Sequence, residues 1–532
     1  MQNQVDVRPP RSWMLASVFT AYFTGYFIIS TLNVALPRIA AGLDGMAWFA
    51  WALSIPALAA AFATLTFGKL SDLFGRRAML LVAVGFMLVG AILSAISRAF
   101  TPLVMALGIL SLGQGAIAPL CFSVLGDMYA PAERSKWAGL LNIASGITAF
   151  IGPVLGGWFV DNPGWRYVFW ADVPLVLLSG IAVLAGLPGP ARQGSEKIDA
   201  LGSVLLAAAS STMILGFSWA GTVYAWGSIQ IVGLLGVSAA LWAIFLRYEA
   251  KTTGPLLDLQ ILTNRTFITA SAAALISSFG LTAIMSYYPL FLQGIQGASA
   301  TLSGKIITPF SVLTSFLGVP AGFLIARTKR YRWMYIGGYA TLALAMFGTA
   351  ALTADTALGW NFLISTVAGI GLGTIPTINA LVVQYALPKR LLGAATGGLY
   401  FFVMIGRAIA PAILGSVLNG VYARVLAAST PAPLAGLLDQ ATLASLSNPR
   451  VLLSEQALAE LRQTFNGSGN PRPALLDQTI AAIRHSLQSG LQVIFLIGAF
   501  TMLAAFLLIL TIPEIPLEIE AQDEPSKAQA GK

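Results

Sequence analysis

Long apolar runs separated by short polar breaks recur along almost the whole chain. They fall near residues 12 to 36, 47 to 67, 78 to 97, 102 to 125, 137 to 160, 166 to 187, 199 to 219 and 228 to 246. Six more follow near 266 to 292, 305 to 326, 333 to 353, 358 to 386, 391 to 418 and 489 to 512. A helix needs about 20 apolar residues to cross a bilayer. The pattern therefore predicts an all-α membrane protein with fourteen spans. The first run, Trp13 to Pro37, is long and lacks a small-residue cleavage site, so it reads as a retained span that ends at its proline.

Composition agrees with this reading. Of 532 residues, 57% are hydrophobic and only 10% charged, against about 25% charged in soluble domains. The lone Cys121 excludes a disulfide framework. The lone His485 removes most histidine-based metal or triad chemistry, so neither an enzyme nor a cofactor is expected. The net charge of +9 is largely a matter of topology. Alternate loops carry sixteen basic residues, among them Arg76, Arg77, Arg134, Arg330 and Lys389, whereas the intervening short loops carry three, Arg38, Arg98 and Arg166. By the positive-inside rule both termini are cytoplasmic, and no nucleic-acid partner is needed.

The chain also resembles itself. Gly68 to Arg76 aligns with Gly322 to Arg330, and Pro131 falls on Pro388 at nearly the same offset. This spacing fits an N-terminal six-helix bundle at 1–190, an inserted helix pair at 191–250 and a C-terminal six-helix bundle at 251–532. The last holds a long outer loop at about 425–488 and a cytoplasmic tail. Repeated bundles of this kind carry substrate sites at their interface, near the bilayer midplane.

The stretch GKLSDLFGRRAML at 68 to 80 combines a helix-ending Gly68, an acid at Asp72, Gly75, and paired Arg76 and Arg77. An ordinary basic loop needs neither the glycines nor the acid; an ion-pair latch that breaks when the halves tilt uses all of them. This stretch resembles the cytoplasmic signature of the major facilitator superfamily. GPVLGG at 152 to 157 and the loop GDMYAPAERSK, with Asp127 and Arg134, are similar to further signatures of that superfamily's antiporters. NVALP at 33 to 37, WRYVFWADVP at 165 to 174 and SGKIITPF at 303 to 310 resemble the fourteen-span drug:proton antiporter family. The resemblance implies a major facilitator fold with alternating access. It makes Gly68, Asp72, Gly75, Arg76, Arg77, Asp127, Arg134, Gly152, Pro153, Gly156 and Arg330 the gating and latch residues. Gly152 and Gly156 also make a small-xxx-small face, so close helix packing explains them equally well.

Departures from the family pattern matter as much. Where the antiporters usually carry a span-one aspartate, this chain has Ile28, and where their span four has an arginine it has Ser111. Thr148 replaces a usual glycine and Asp172 a usual asparagine. Isoleucine cannot take up a proton. Asp172 is the remaining candidate for coupling; its alternative is a helix-start acid favoured by the macrodipole.

Arg407 is the one basic residue expected near the middle of a span, and at the repeat offset it falls on Pro153. Intramembrane arginines are costly and mark sites unless tied structurally. The first span carries Phe19, Tyr22, Phe23, Tyr26 and Phe27 near one face, which serve either packing or a stacking wall. For a wall, the expected solute-binding residues are Tyr22, Tyr26, Thr31, Asn33, Gln114, Tyr287, Tyr288 and Arg407, with Asn379 and Gln384 as weaker candidates. The expectation is a secondary transporter for a flat heteroaromatic or anionic metabolite, vitamin-like as a flavin is. The alternatives are multidrug efflux by proton antiport and a non-transporting receptor or scaffold. The expected partners are a small solute and the lipid bilayer, and a monomer is expected. In the outer loop, NPRVLLSEQALAELRQTF reads as a surface helix and NGSGNPRP as a break.

Overall fold

The computed structural model describes residues 10–128, 131–188, 200–221, 223–252, 259–387, 392–429, 452–453, 455–466 and 473–514. These residues form helices and turns, with an isolated bridge between Ala220 and Tyr224. The N-terminal helices are α1 (Arg11–Gly42), α2 (Phe49–Phe74), α3 (Arg76–Ile96), α4 (Phe100–Met128), α5 (Pro131–Asp161) and α6 (Arg166–Gly186). A pair comes after them, α7 (Ala200–Trp219) and α8 (Ile229–Glu249). Next come α9 (Arg265–Thr282), a π-helical turn (Ala283–Tyr287), α10 (Tyr288–Gly294), α11 (Ala300–Phe316) and α12 (Gly318–Thr328). The chain closes with α13 (Arg332–Ala350), α14 (Leu358–Tyr385), α15 (Leu392–Ser429), α16 (Glu455–Asn466) and α17 (Pro473–Leu510).

Among the described residues, twelve helical stretches are long and apolar enough to cross a membrane. Two further helices at expected spans, α7 and α13, are not among those twelve. Three boundaries differ from the hydropathy pattern. Helix α1 continues through Pro37 to Gly42, because a buried proline costs it one backbone donor while Ile39, Ala40 and Ala41 stay packed in the core. Helix α17 begins at Pro473, so residues expected in the outer loop are part of the final helix. The expected surface helix is α16, and the break after it lies outside the described residues, as does most of the tail.

Small residues let the helices approach closely. Any side chain at Gly90 or Gly113 would meet α4 or α3 backbone, and one at Gly115 would meet Ala60 of α2. Gly156 faces the Thr31 backbone of α1, while Gly157 faces Ala300 and Thr301 of α11. Helix α5 is thus held between α1 and α11, the junction of the two halves. Two such contacts pair a glycine with a serine: Gly152 of α5 abuts Ser30 of α1, and Gly406 of α15 abuts Ser278 of α9. The α7–α8 pair leans on α2 and α15 through Trp51–Trp219 and Trp242–Phe401 contacts, with ring centroids 6.4 Å and 5.7 Å apart. Its outer face is apolar and open, with Ile229 84% exposed.

Antiparallel packing puts both described ends of the chain at one end of the bundle, the terminal end. At the opposite, distal end the halves are tied together. Asp161, the last residue of α5, accepts hydrogen bonds from the α11 backbone at Ala300 (3.2 Å) and Thr301 (2.7 Å) and from the Thr301 hydroxyl (2.6 Å). Gln293 donates to the Val34 carbonyl at 3.1 Å, Asn419 to Ala47 at 2.8 Å and Arg38 to Leu453 at 2.9 Å. Phe49 meets Tyr287 edge to face at 5.6 Å.

Gly156→Leu should wedge α5 from α1 and destabilise the protein by roughly 1–3 kcal/mol, the usual scale of overpacking. A fluorescence melt of the purified protein checks this; an unchanged melting temperature would contradict the close packing.

Candidate functional site

One face of α1 presents Tyr22, Tyr26, Ile29 and Asn33 in succession, as helical spacing requires. The Tyr22 and Tyr26 rings lie 4.6 Å apart, and Phe122 of α4 meets Tyr22 edge to face at 6.0 Å. Tyr26 and Asn33 are half-buried, while Ile29 and Phe122 are exposed although both sit on helices within the bundle. Gln114 is half-buried, two turns along α4 from Phe122 and on the same face. From the other half, α15 contributes Tyr400 and Arg407, both exposed. Arg407 lies within electrostatic range of the Tyr26 and Tyr400 hydroxyls. Among the described residues it has no hydrogen-bond or ion-pair partner.

These residues border an accessible aromatic space beside α1, α4 and α15, with one cation unneutralised. A guanidinium offers a planar fork of donors suited to a carboxylate, phosphate or carbonyl pair, and the tyrosine faces suit a flat ring. Tyr400 and Phe122 escape a sequence reading because aromatics near helix ends resemble interfacial belt residues.

Several expected wall residues are elsewhere. Tyr287 and Tyr288 are 0% and 1% exposed, and their hydroxyls donate to the Pro411 carbonyl (3.2 Å) and to Asn361 (2.9 Å). The π-helical turn just before Tyr288 adds one residue to the helical circuit, which rotates the rest of the span by about 100° and turns both rings into the core. Thr31 of α1 is buried against α5, its hydroxyl spent on the Phe27 and Ile28 carbonyls of its own helix. Phe19 and Phe23 line a separate cleft toward α5 and α6. Asn379 is buried in a C-terminal cluster, where it accepts a hydrogen bond from Tyr335.

At the terminal end, Arg76 pairs with Asp127 of α4 at 2.9 Å and also donates to Ser71. The α2–α3 break depends on Gly75, whose φ of 89° is one that other residues rarely adopt. Arg77 is half-buried, and Arg330 is exposed in a turn closed by the Thr328 hydroxyl. Gly68 is inside α2, whereas the side chains of Asp72 and Arg134 lie outside the described residues. Pro153 is inside α5, with its carbonyl against Gly304 of α11.

Asp172 is not a surface acid at a helix start. It lies in the second turn of α6, 0% exposed, and neither carboxyl oxygen has a hydrogen-bond partner. The Ser17 hydroxyl bonds the Ala182 carbonyl and the Thr24 hydroxyl that of Leu175. The same antiparallel register carries Asp172 to the level of Phe27 and Ile28. A carboxyl group therefore stands across the α1–α6 contact from the isoleucine that occupies the antiporters' usual acidic position.

Residues 18–411 match the family model described as Major Facilitator Superfamily. The chain belongs to the Major Facilitator Superfamily. An MFS-type transporter of Mycobacterium tuberculosis, described as uncharacterized, is 30% identical over 404 residues, which cover 75% of this chain and 59% of that protein. This chain thus spans less than two thirds of that relative's length. The multidrug transporter protein MdtP of Bacillus subtilis is 26% identical over 98% of this chain and 97% of its own. Among solved structures, a bacterial homolog of the human lysosomal transporter Spinster, inward-facing and unoccupied, superposes with a TM-score of 0.62 at 15% identity. It covers 94% of this chain and 98% of that one. A POT family transporter in complex with 5-aminolevulinic acid gives a TM-score of 0.61 at 14% identity, over 86% of this superfamily member and 97% of its own chain. The family and these relatives are transporters, not enzymes.

Arg407→Ala should abolish solute binding and flux while leaving the amount of protein in the membrane unchanged. Arg407→Lys, which keeps the charge but loses the planar fork, should retain only part of it. Flux in proteoliposomes, normalised to protein, is the readout; wild-type flux by the alanine variant would make Arg407 a structural residue.

Proposed function

We propose that this chain is a fourteen-span secondary transporter that moves a small organic solute across a plasma membrane by alternating access. Its halves are residues 1–190 and 251–532, joined by a helix pair at 191–250 that faces lipid. The excess of basic residues in the loops of the terminal end supports cytoplasmic termini. With that orientation the distal ties close the outer side and the aromatic space belongs to the inward-facing state. The latch residues Arg76 and Asp127 then sit at the cytoplasmic side, beside Gly75.

The observation that carries the solute class is the exposed, unpartnered Arg407 beside stacked Tyr22 and Tyr26. An unneutralised cation deep in a protein is costly without a hydrated or anionic partner. A solute that joins a flat ring to a carboxylate, phosphate or imide-like carbonyl pair answers both features. Gln114 and Asn33 supply further hydrogen bonds. Vitamin-like heteroaromatic acids and flavins have this chemistry, as do other aromatic anions.

A second reading, multidrug efflux by drug:proton antiport, is favoured by the near full-length similarity to a Bacillus subtilis multidrug transporter. The buried Asp172 also favours it, since an unpartnered carboxyl within a membrane span is the kind of group that serves in proton relays. The two readings share the site and differ in the cargo.

Proteoliposome flux with and without an imposed pH gradient separates them. Transport of aromatic anions, with little movement of unrelated cationic drugs, is the expected result. Proton-driven extrusion of several cationic drugs would overturn the solute class. In a protein that does couple, Asp172→Asn should lose gradient-driven accumulation yet keep downhill exchange; unchanged accumulation would move coupling away from Asp172.

A further inference from the structure

Outside the central space, α1, α5 and α6 border a cleft of about 340 Å³. Phe19 and Phe23 form one wall, Ile143 and Ile147 a second, and Leu175 and Leu178 a third. The cleft exists because α5 touches α1 at the glycine steps Gly152 and Gly156, farther toward the distal end, and then diverges. Ile143 and Ile147 lie beyond that point, where the described residues show no glycine contact with α1. The rim faces sideways: Ile143 is 44%, Ile147 46% and Leu178 55% exposed on membrane-spanning helices.

The lining has no polar function to offer a solute. Thr20 and Thr24 are the polar residues at its edge, and both hydroxyls are already used. Thr20 donates to Ala16 at 2.8 Å, and Thr24 donates to Thr20 at 2.8 Å and to Leu175 at 3.4 Å. An occupant gains by burying hydrocarbon, at about 0.8 kcal/mol per methylene. At the terminal end of α1, Arg11 and Trp13 are exposed. Tryptophan and arginine at a helix end mark the headgroup level. Along the helix, Arg11 is about 12 Å from Phe19 and about 20 Å from Thr24, which matches one leaflet of a hydrocarbon core about 30 Å thick.

We propose that this cleft binds one acyl chain of an anionic phospholipid from the leaflet at the terminal end, with the headgroup at Arg11. The chain fills the wedge that α5 leaves open in this state. Its occupancy therefore favours the conformation whose distal end is closed, since rocking of α5 changes the wedge.

The test uses the full-length protein in phosphatidylcholine vesicles containing phosphatidylglycerol with a photoreactive diazirine on one acyl chain. Peptide mass spectrometry should find cross-links concentrated on Phe19 to Thr24, Ile143 to Ile147 and Leu175 to Leu178, above those on the lipid-facing Ile229 and Val232. Unlabelled phosphatidylglycerol should compete them away, while added phosphatidylcholine should not. Thr20→Trp, or Leu178→Trp where the first variant fails to fold, should remove the cleft cross-links and leave those on α8. Arg11→Gln should abolish the preference for phosphatidylglycerol over phosphatidylcholine. Cross-links spread evenly over lipid-facing residues would overturn the site. Displacement by oleate or by a transported solute, and not by phosphatidylglycerol, would overturn the phospholipid assignment.

Discussion

The arrangement of the two halves depends on a carboxylate placed against the usual rule for helices. Asp161 ends α5, where the helix dipole disfavours negative charge. It is stabilised there by the start of α11, whose first two backbone donors, at Ala300 and Thr301, it accepts. Ser299 caps the next donor, at Leu302, with its own hydroxyl. The opening turn of α11 is thus satisfied partly from its own half and partly from the other. Separating the halves at this end leaves those donors to water and removes the dipole partner of Asp161.

That junction dictates the remaining geometry. With the distal end drawn shut, α1 and α15 face each other across an aromatic space, and Arg407 remains accessible without a protein partner. A fixed cation in that position has no protein charge among the described residues to compensate it. A protein that only needed to be stable would replace it with an apolar residue of similar volume. The same close fit that forms the junction makes the lateral wedge, since α5 cannot lie against α1 and lean on α11 along its whole length.

Most of the helices were legible because a bilayer imposes their length and apolarity directly. Boundaries failed where tertiary packing overrode local rules. Pro37 does not end α1, because the buried turn beyond it is stabilised by its neighbours. The place of Arg407 within a membrane-spanning helix and the shared face of Tyr22 and Tyr26 were legible from hydropathy and helical spacing. Tyr287 and Tyr288 were misplaced because a π-helical turn, which no residue pattern announces, rotates them into the core. No residue pattern singles out Asp161, just before Asn162 and Pro163, since its partner is a backbone in the other half. Asp172 was noticed as a departure from a motif, but its full burial required the α1–α6 register.

The central claim is that the Asp161 clamp on α11 sets which end of the helix bundle is open. Its most direct measurement is a pulsed electron resonance distance distribution between spin labels at Asn162 and Gln296, in the otherwise unaltered protein and with Asp161→Asn. The account predicts a short, narrow distance in the parent and a second, longer population in the variant, accompanied by contraction between labels at the terminal ends of α4 and α14. Identical distributions in parent and variant would contradict it.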